Sequence, residues 1–449
     1  MRILKTVAAS CAALVLAAMP AWGQSLIRDT EIEELMGVYT RDLIVAAGLQ
    51  PNDVDLYIIS DPSVNAFVTR GQNIFMHTGL IMESETPNQL IGVYAHEIGH
   101  IAGAHLARSD EAIGNAAVPA YVSLGLGLIA ALAGEGGAAG ALMASSQQFG
   151  ALSFLTYSRA QESSADQAGL QYLTATGQSG EGLVEFFERF RYQEVMSRQQ
   201  RFPYFRSHPL SSQRVAALRR GVEESEFYGV QDSAQSVDAL RRIQAKIYGF
   251  TAPPEYVFYR YPEDDTSLYA RYARVVAYYR EARLEEARGE IESLITQEPD
   301  NPYFQELYGQ MLFESGYISE SIPYHQASVD MRPSAPLFRV NLAVAQLASE
   351  DETLLEDARG HLQVALNIEP DNSFAWYQLS IVHERSGETP LAKLAIAEQS
   401  FHSGNMIRAV QFAGRAREEL EQGTPAWIRA TEIELAARPM AEEMARRRR

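Results

Sequence analysis

The stretch Leu90–Leu106 constrains the fold of this chain more than any other, because it carries an H-E-x-x-H pattern at His96, Glu97 and His100. On a helix, side chains at positions i and i+4 lie on one face, so the two imidazoles point the same way. That arrangement suits two of the three protein ligands of a catalytic zinc, which keeps its last position open for water. Glu97 lies close enough to take a proton from that water. The alternative is a helix with two histidines in an ordinary core.

The residues before this pattern predict the start of the helix. Thr86 is a suitable N-cap, Pro87 suits the first helical position, and Gln89 occupies the position that a capping box gives to Glu or Gln. The apolar residues around the histidines indicate that the helix is buried.

A second predicted helix, Arg159–Ala175, supplies paired carboxylates. Glu162 and Asp166 are four residues apart and share one face. Glu162 is therefore the predicted third zinc ligand, and Asp166 the acceptor for the outer ring N–H of a ligand histidine. Small residues on this helix are those that close packing against the first helix requires: Ala160, Ala165, Ala168 and Gly169. The alternative is a solvated acidic face.

A different ligand set can be tested against the spacing. Some zinc proteases extend the motif to H-E-x-x-H-x-x-G-x-x-H. Gly103 fits that pattern, but Leu106 occupies the last position and His105 comes one residue early. Because a shift of one residue turns a side chain away from the metal, a carboxylate third ligand is favoured. His105 is predicted to lie behind the ligands or at the surface.

The N-terminus predicts export. Arg2 and Lys5 precede an apolar run, Thr6–Met19, and a small-x-small site ends at Gly23. We expect a signal peptide over 1–23; the alternative is an uncleaved anchor. The only cysteine, Cys11, lies within it, so no disulfide is expected. The formal net charge of −19 argues against nucleic acid as a partner.

Short elements precede the H-E-x-x-H helix. An amphipathic helix is predicted over 25–47, a strand over 54–59, and a hairpin whose strands, 65–68 and 73–76, flank Arg70-Gly71. A peptide substrate can add to a free sheet edge through main-chain bonds. The hairpin is equally compatible with an ordinary core element.

Residues 114–145 form an apolar, glycine-rich insertion that is almost free of charge. Its longest apolar run, 118–133, is short for a membrane span and predicts a helical hairpin. Three alternatives stay open: contact with a membrane surface, a cap over the active site, or burial in the core.

The second half of the chain is repetitive. Pro299, Pro333 and Pro370 recur at separations of 34 and 37 residues, which indicates tetratricopeptide (TPR) repeats. Stacked helix pairs form a concave surface for peptides or partner proteins, the alternative being a purely structural domain. The predicted domain boundaries are a signal peptide at 1–23, a peptidase domain at 24–250, a linker at 251–265, repeats at 266–438 and a basic disordered tail at 439–449.

Three separated motifs, taken in order, resemble those of a known protein family. They are H-E-I-G-H at 96–100, R-x-x-E-x-x-A-D from Arg159 to Asp166, and S-H-P at 207–209 followed by Arg214. This order resembles the HtpX and CAAX-prenyl-protease type of zinc metallopeptidase. With the signal peptide and the repeats, it is similar to the BepA-like periplasmic proteases of Gram-negative bacteria. The resemblance implies a mostly α fold with a small β-sheet: an α+β gluzincin-type zinc metallopeptidase domain followed by an α-solenoid of TPR repeats.

The resemblance also implies roles for the site residues. His96, His100 and Glu162 would bind one Zn²⁺, with Glu97 as general base. His208 precedes Pro209 and so belongs to a loop that can reach a cleft; it would either occupy the open zinc position as a plug or donate to the oxyanion. Arg214 would support it. Without the resemblance, His208 is compatible with a surface histidine.

The expected function is that of an exported zinc endopeptidase in periplasmic protein quality control. By resemblance, its substrates are misfolded or stalled outer-membrane proteins, and its repeats recruit substrates or the outer-membrane protein assembly machinery. Peripheral membrane contact is compatible with the insertion over 114–145. The alternative function is a chaperone or scaffold for outer-membrane protein assembly, in which proteolysis is latent or absent.

Overall fold

The computed structural model describes residues 26–69, 71–105, 159–197, 204 and 208–447. The predicted signal peptide and the predicted insertion over 114–145 lie outside these residues. The chain divides into two compact units. The first unit comprises Met1–Ile27 and Met36–Val237, and the second comprises Arg28–Leu35 and Asp238–Arg449.

The first unit contains a four-stranded mixed sheet. Its strands are β1 Leu26–Ile27, β2 Asp55–Ile59, β3 Ala66–Thr69 and β4 Asn73–His77. Their order is β1-β2-β4-β3, so β3 lies at an edge. Strand β2 runs parallel to β4, with Asp55 opposite Asn73, whereas β3 and β4 form an antiparallel hairpin with Ala66 opposite Met76. The predicted hairpin is therefore confirmed.

Six helices accompany this sheet in the described part of the chain before residue 224. They are α1 Thr30–Ala46, α2 Thr78–Glu83, α3 Pro87–Ala102, α4 over 159–175, α5 Glu181–Ser197 and α6 Ser212–Glu223. Helix α3 begins as predicted, because the Thr86 side chain accepts a hydrogen bond from the backbone N–H of Gln89, with Pro87 in the first turn. Helix α4 is followed by Gly177, whose φ of +74° suits glycine.

Helices α3 and α4 approach each other at backbone distance. A Cβ on Gly99 of α3 would lie 2.8 Å from the carbonyl oxygen of Ala165, and a Cβ on Gly169 of α4 would lie 3.1 Å from the backbone nitrogen of His96. Small residues on both helices therefore permit the contact. The expectation of a small-sided helix packed against the H-E-x-x-H helix is confirmed.

The second unit is built from helix pairs. Its helices are α7 Ala234–Thr251, which begins just before the unit boundary, α8 Pro254–Arg260, α9 Leu268–Arg280, α10 Leu284–Gln297, α11 Pro302–Glu314, α12 Ile318–Met331, α13 Pro336–Ala348, α14 Leu355–Ile368, α15 Ser373–Arg385, α16 Thr389–His402, α17 Met406–Glu419 and α18 Pro425–Arg447. The first helices of successive pairs begin at Leu268, Pro302, Pro336 and Ser373. The longer third interval contains a 3₁₀ turn, Glu352–Leu354. These pairs form the expected α-solenoid, after a domain that combines helices with a small sheet.

Three boundaries differ from the sequence expectation. The units divide at Val237 and Asp238 rather than at 250, because α7 buries Leu240, Ile243 and Ile247 and belongs to the second unit. The predicted linker at 251–265 contains α8, since Pro254 occupies the first turn of a helix. The predicted disordered tail is helical as far as Arg447. None of the described helices combines the length and the apolar character needed to cross a bilayer.

Candidate metal centre

Four buried side chains bring metal-ligating atoms together in the first unit. His96 and His100 come from α3, Glu162 from α4, and His208 from the segment before α6. One ligand atom from each lies within 4.8 Å of the other three. The i, i+4 spacing and the close crossing of α3 and α4 together explain why three of these groups meet.

The distances between these atoms are those of a coordination shell. His96 Nε2 lies 3.1 Å from His100 Nε2 and 3.4 Å from His208 Nδ1. Glu162 carboxylate oxygens lie 3.4 Å from the Nε2 atoms of His96 and His100, and 3.2 Å from His208 Nδ1. A tetrahedral ion with bonds of about 2.0–2.1 Å holds its ligand atoms roughly 3.3–3.4 Å apart. A buried set of three imidazole nitrogens and one carboxylate therefore fits zinc in donor type and in spacing.

Asp166 and Arg214 support the cluster from outside. Asp166 Oδ1 lies 3.0 Å from His96 Nδ1, the nitrogen that points away from the other donors. Arg214 donates to both carboxylate oxygens of Asp166 at 2.7 Å. Its third nitrogen, Nη1, lies 3.0 Å from Glu162 Oε2 and donates to the carbonyl oxygen of Pro209 at 2.8 Å. Arg214 thus connects Asp166, Glu162 and the residue that follows His208.

His105 lies behind the cluster. Its Nδ1 is 3.0 Å from the Nδ1 of His100, on the side of that ring facing away from the other donors. The backbone at Ala104 adopts a φ of +50°, and Gln161 donates to the carbonyl oxygen of His105 at 2.9 Å. His105 is therefore not one of the four converging groups, as its spacing indicated. It can fix the ring orientation of His100.

Glu97 is fully buried beside the four donors. Its Oε1 lies 3.6 Å from His208 Nε2, so His208 directs one ring nitrogen toward the cluster and the other toward Glu97. Burial raises the pKa of Glu97, and the interactions with the neighbouring His208 and His96 oppose this shift. A carboxylate with a raised pKa is suited to accepting and returning a proton near neutral pH.

Charge and burial set the protonation of the donors. Burial acts to lower the pKa of His96, but hydrogen bonds with Asp166 and Glu162 raise it to about 9. Burial acts to raise the pKa values of Glu162 and Asp166. Glu162 forms a hydrogen bond with His208, and Asp166 forms one with Arg214. These hydrogen bonds outweigh the effect of burial and hold both pKa values below the ordinary range. Burial lowers the pKa of His100 strongly, which leaves its imidazole neutral, as ligation requires.

All seven residues singled out from the sequence lie in or against this centre: His96, Glu97, His100, Glu162, Asp166, His208 and Arg214. Sequence reasoning missed Tyr204. This fully buried residue stacks on the ring of His208 at a centroid distance of 4.6 Å. The only available signal was its position four residues before His208.

A buried helix with two histidines and an adjacent glutamate, joined by a glutamate from a second helix, is the arrangement of a metallopeptidase. Residues 29–222 match the family model Peptidase family M48. The chain therefore contains an M48 peptidase domain, and it is a metalloprotease.

Similar proteins from several bacteria match most of the chain. The putative beta-barrel assembly-enhancing protease of Vibrio cholerae is 25% identical over 420 residues, covering 90% of this chain and 84% of that protein. The beta-barrel assembly-enhancing protease of Escherichia coli K12 is 24% identical over 414 residues, covering 89% and 81%. Among solved structures, YrrB, a TPR protein with an unusual peptide-binding site, covers 38% of this chain and 89% of its own, at 17% identity and a TM-score of 0.33.

Proposed function

We propose that this protein is an exported zinc-dependent endopeptidase that acts in periplasmic protein quality control and degrades misfolded or stalled outer-membrane proteins. The observation that carries the proposal is the buried four-donor cluster with Glu97 at its side. The relatives named for beta-barrel assembly support the choice of substrate class and compartment.

His96, His100 and Glu162 are the residues that would hold zinc. When bound, zinc supplies a Lewis acid that lowers the pKa of a water molecule and polarises the scissile carbonyl group. Asp166 Oδ1 lies 3.0 Å from His96 Nδ1, where it would accept the outer N–H and leave Nε2 as the nitrogen that loses its proton on ligation. Arg214 holds Asp166 in place through two hydrogen bonds.

Glu97 is the proposed general base. It accepts a proton from the attacking water and delivers it to the leaving amine when the peptide bond breaks. Burial supports this role, because it brings the pKa of the carboxyl group above its ordinary value.

His208 occupies the fourth position of the cluster in the proposed resting state. Its Nδ1 lies 3.2 Å from Glu162 and 3.4 Å from His96 Nε2, which are distances typical of a fourth ligand. Because a catalytic zinc keeps one position open, His208 must withdraw before cleavage. The competing proposal, in which His208 donates to the oxyanion, makes the opposite prediction for its removal.

The helix pairs of the second unit are proposed to recruit substrates or the outer-membrane protein assembly machinery. Stacked helix pairs provide an extended surface for such partners. Peripheral membrane contact through the stretch over 114–145 stays a prediction, since that stretch lies outside the described residues.

The test combines zinc content with cleavage of casein by the mature chain. Replacing Glu97 by Gln preserves shape and removes the base, so we expect bound zinc and cleavage reduced by about 10²–10⁴-fold. Glu226→Gln, at an exposed position of the same unit, is the matched control and should cleave like the wild type. His208→Ala should cleave faster if His208 blocks the fourth position.

Slower cleavage by His208→Ala would instead favour the oxyanion role. Bound zinc without cleavage in the wild type and in His208→Ala would overturn the peptidase proposal in favour of a chaperone or scaffold. Absence of zinc from the purified wild type would exclude the metal centre as described.

A further inference from the structure

Tyr204 is buried beside the four donors of the metal site, although no step of the proposed mechanism uses it. None of its surface is exposed. Its ring lies 6.2 Å from Phe187 and 6.3 Å from Phe186, which places it in the aromatic core under the cluster. Burying the polar hydroxyl group of a tyrosine costs free energy. The presence of this residue next to four metal-ligating groups therefore indicates that its ring or its hydroxyl serves the site.

The contacts between Tyr204 and His208 are both side-chain and main-chain. The two rings stack with a centroid distance of 4.6 Å and an interplanar angle of 26°. The backbone N–H of His208 donates to the carbonyl oxygen of Tyr204 at 2.8 Å. The backbone N–H of Tyr204 donates in turn to the carbonyl oxygen of Val64, just before edge strand β3, at 3.4 Å. Tyr204 is thus attached to the segment before β3 on one side and to His208 on the other.

The stacking fixes the plane of the His208 ring. With the imidazole plane set against the Tyr204 ring, Nδ1 lies 3.2 Å from Glu162, and Nε2 lies 3.6 Å from Glu97. His208 is the only one of the four donors in the described cluster that comes from outside helices α3 and α4. Its orientation therefore depends on packing rather than on helical geometry, and Tyr204 provides that packing.

We propose that Tyr204 is a positioning residue of the metal centre, whose ring holds the imidazole of His208 in the fourth ligand position. The inference rests on the proposed function, because it requires a metal ion held by the four-donor cluster. The aromatic face carries the effect on His208, since the ring is the part that stacks on the imidazole, whereas the hydroxyl group interacts with Glu97.

A double-mutant cycle tests this coupling. The proteins are the zinc-loaded wild type, Tyr204→Leu, His208→Ala and the double variant, and the measurement is zinc affinity by competition with a chelator. Tyr204→Leu should weaken zinc binding by about 10–100-fold, as is usual when support of a ligand is lost. In the His208→Ala background the same change should have almost no effect, because the ligand that Tyr204 supports is gone.

Two further variants separate the ring from the hydroxyl and from the general cost of altering the core. Tyr204→Phe keeps the ring and should bind zinc like the wild type. Phe190→Leu removes another fully buried ring of this aromatic core and should leave zinc affinity unchanged. The absorption spectrum of the Co²⁺-loaded proteins provides a second readout, since it changes when loss of the fourth ligand alters the coordination geometry.

Additive effects of Tyr204→Leu and His208→Ala would overturn the inference, as would weak zinc binding by Tyr204→Phe. If Tyr204→Leu does not fold, Tyr204→Met, whose longer and more flexible side chain can fill an irregular space, takes its place in the cycle. A wild type that binds no zinc would contradict the proposed function itself. A wild type that binds one zinc without coupling between Tyr204 and His208 would contradict this inference alone.

Discussion

Asp166 illustrates how one carboxylate can set the state of two neighbouring ligands. One oxygen lies 3.0 Å from His96 Nδ1, and both oxygens accept hydrogen bonds from Arg214. Because Arg214 also contacts Glu162, the position of Asp166 affects ligands from both helices. A negative charge at this point fixes the tautomer of His96 and balances a buried guanidinium group.

Replacing Asp166 by Asn keeps the shape of the side chain and removes its charge. The amide can present an N–H to His96 Nδ1, which favours the wrong tautomer for ligation through Nε2. We therefore expect zinc affinity to fall by about 10–100-fold, measured by competition with a chelator. Asp42→Asn, at an exposed position of α1, is the matched control and should bind zinc like the wild type. Equal affinity of the two variants would contradict this role of Asp166.

At the scale of elements, the metal centre depends on the distance between α3 and α4. Gly99 and Gly169 allow the two backbones to touch, and this brings Glu162 into contact with both histidines of α3. An alanine has better intrinsic helix propensity than a glycine, so propensity alone favours replacing either residue. The close approach reverses that preference.

Gly99→Ala is therefore expected to destabilise the first unit by about 1–3 kcal/mol and to weaken zinc binding. The new Cβ would lie 2.8 Å from the backbone oxygen of Ala165, which can move away only if the backbone of α4 shifts. Gly37→Ala, on helix α1 of the same unit, is the control. A Cβ there meets nothing within 4 Å, and the change should be neutral or stabilising by about 0.4–1 kcal/mol. Thermal unfolding followed by circular dichroism measures both. A stable Gly99→Ala variant with normal zinc affinity would contradict the role of this helix contact.

Elements with a local signal were predictable from the sequence. The capped start of α3, the i, i+4 pairs on α3 and α4, and the 34-residue interval of the helix pairs all depend on residues near one another in the chain. Tyr204 was not predictable, because its role arises from stacking on His208 and hydrogen bonding to Val64, a residue far away in the sequence. The Pro253-Pro254 pair was misleading, since proline is equally suited to a linker and to the first turn of α8.

At the scale of the whole molecule, the division into units does not follow the order of the chain. Residues 28–35 belong to the second unit, together with everything after Val237. The reason is a buried group of charges. Lys246 of α7 lies 2.6 Å from Asp29 and 3.3 Å from Glu31, and the hydroxyl of Tyr272 donates to Glu31 at 2.6 Å. Sequence patterns could not reveal this pairing, because it joins residues more than 200 positions apart.

Lys246→Met is expected to destabilise the second unit by about 3–5 kcal/mol, because it leaves two carboxylates near or below the surface without their cation. Burial already raises the pKa of the nearby Glu306 to about 7, an effect that the charge of Lys246 limits. Removing that charge makes every remaining carboxylate of the group harder to ionise. Urea unfolding, followed by circular dichroism of the helices, measures the loss.

Lys393→Met is the matched control, since Lys393 pairs with Glu419 at 2.6 Å between partly exposed side chains and should contribute less than about 1 kcal/mol. If the large cost of Lys246→Met arises from unpaired charge, adding Glu31→Gln should restore part of the stability, because the amide needs no cation and can still accept from Tyr272. A cost equal to that of Lys393→Met, or a further loss in the double variant, would show that the buried charges do not hold residues 28–35 in the second unit.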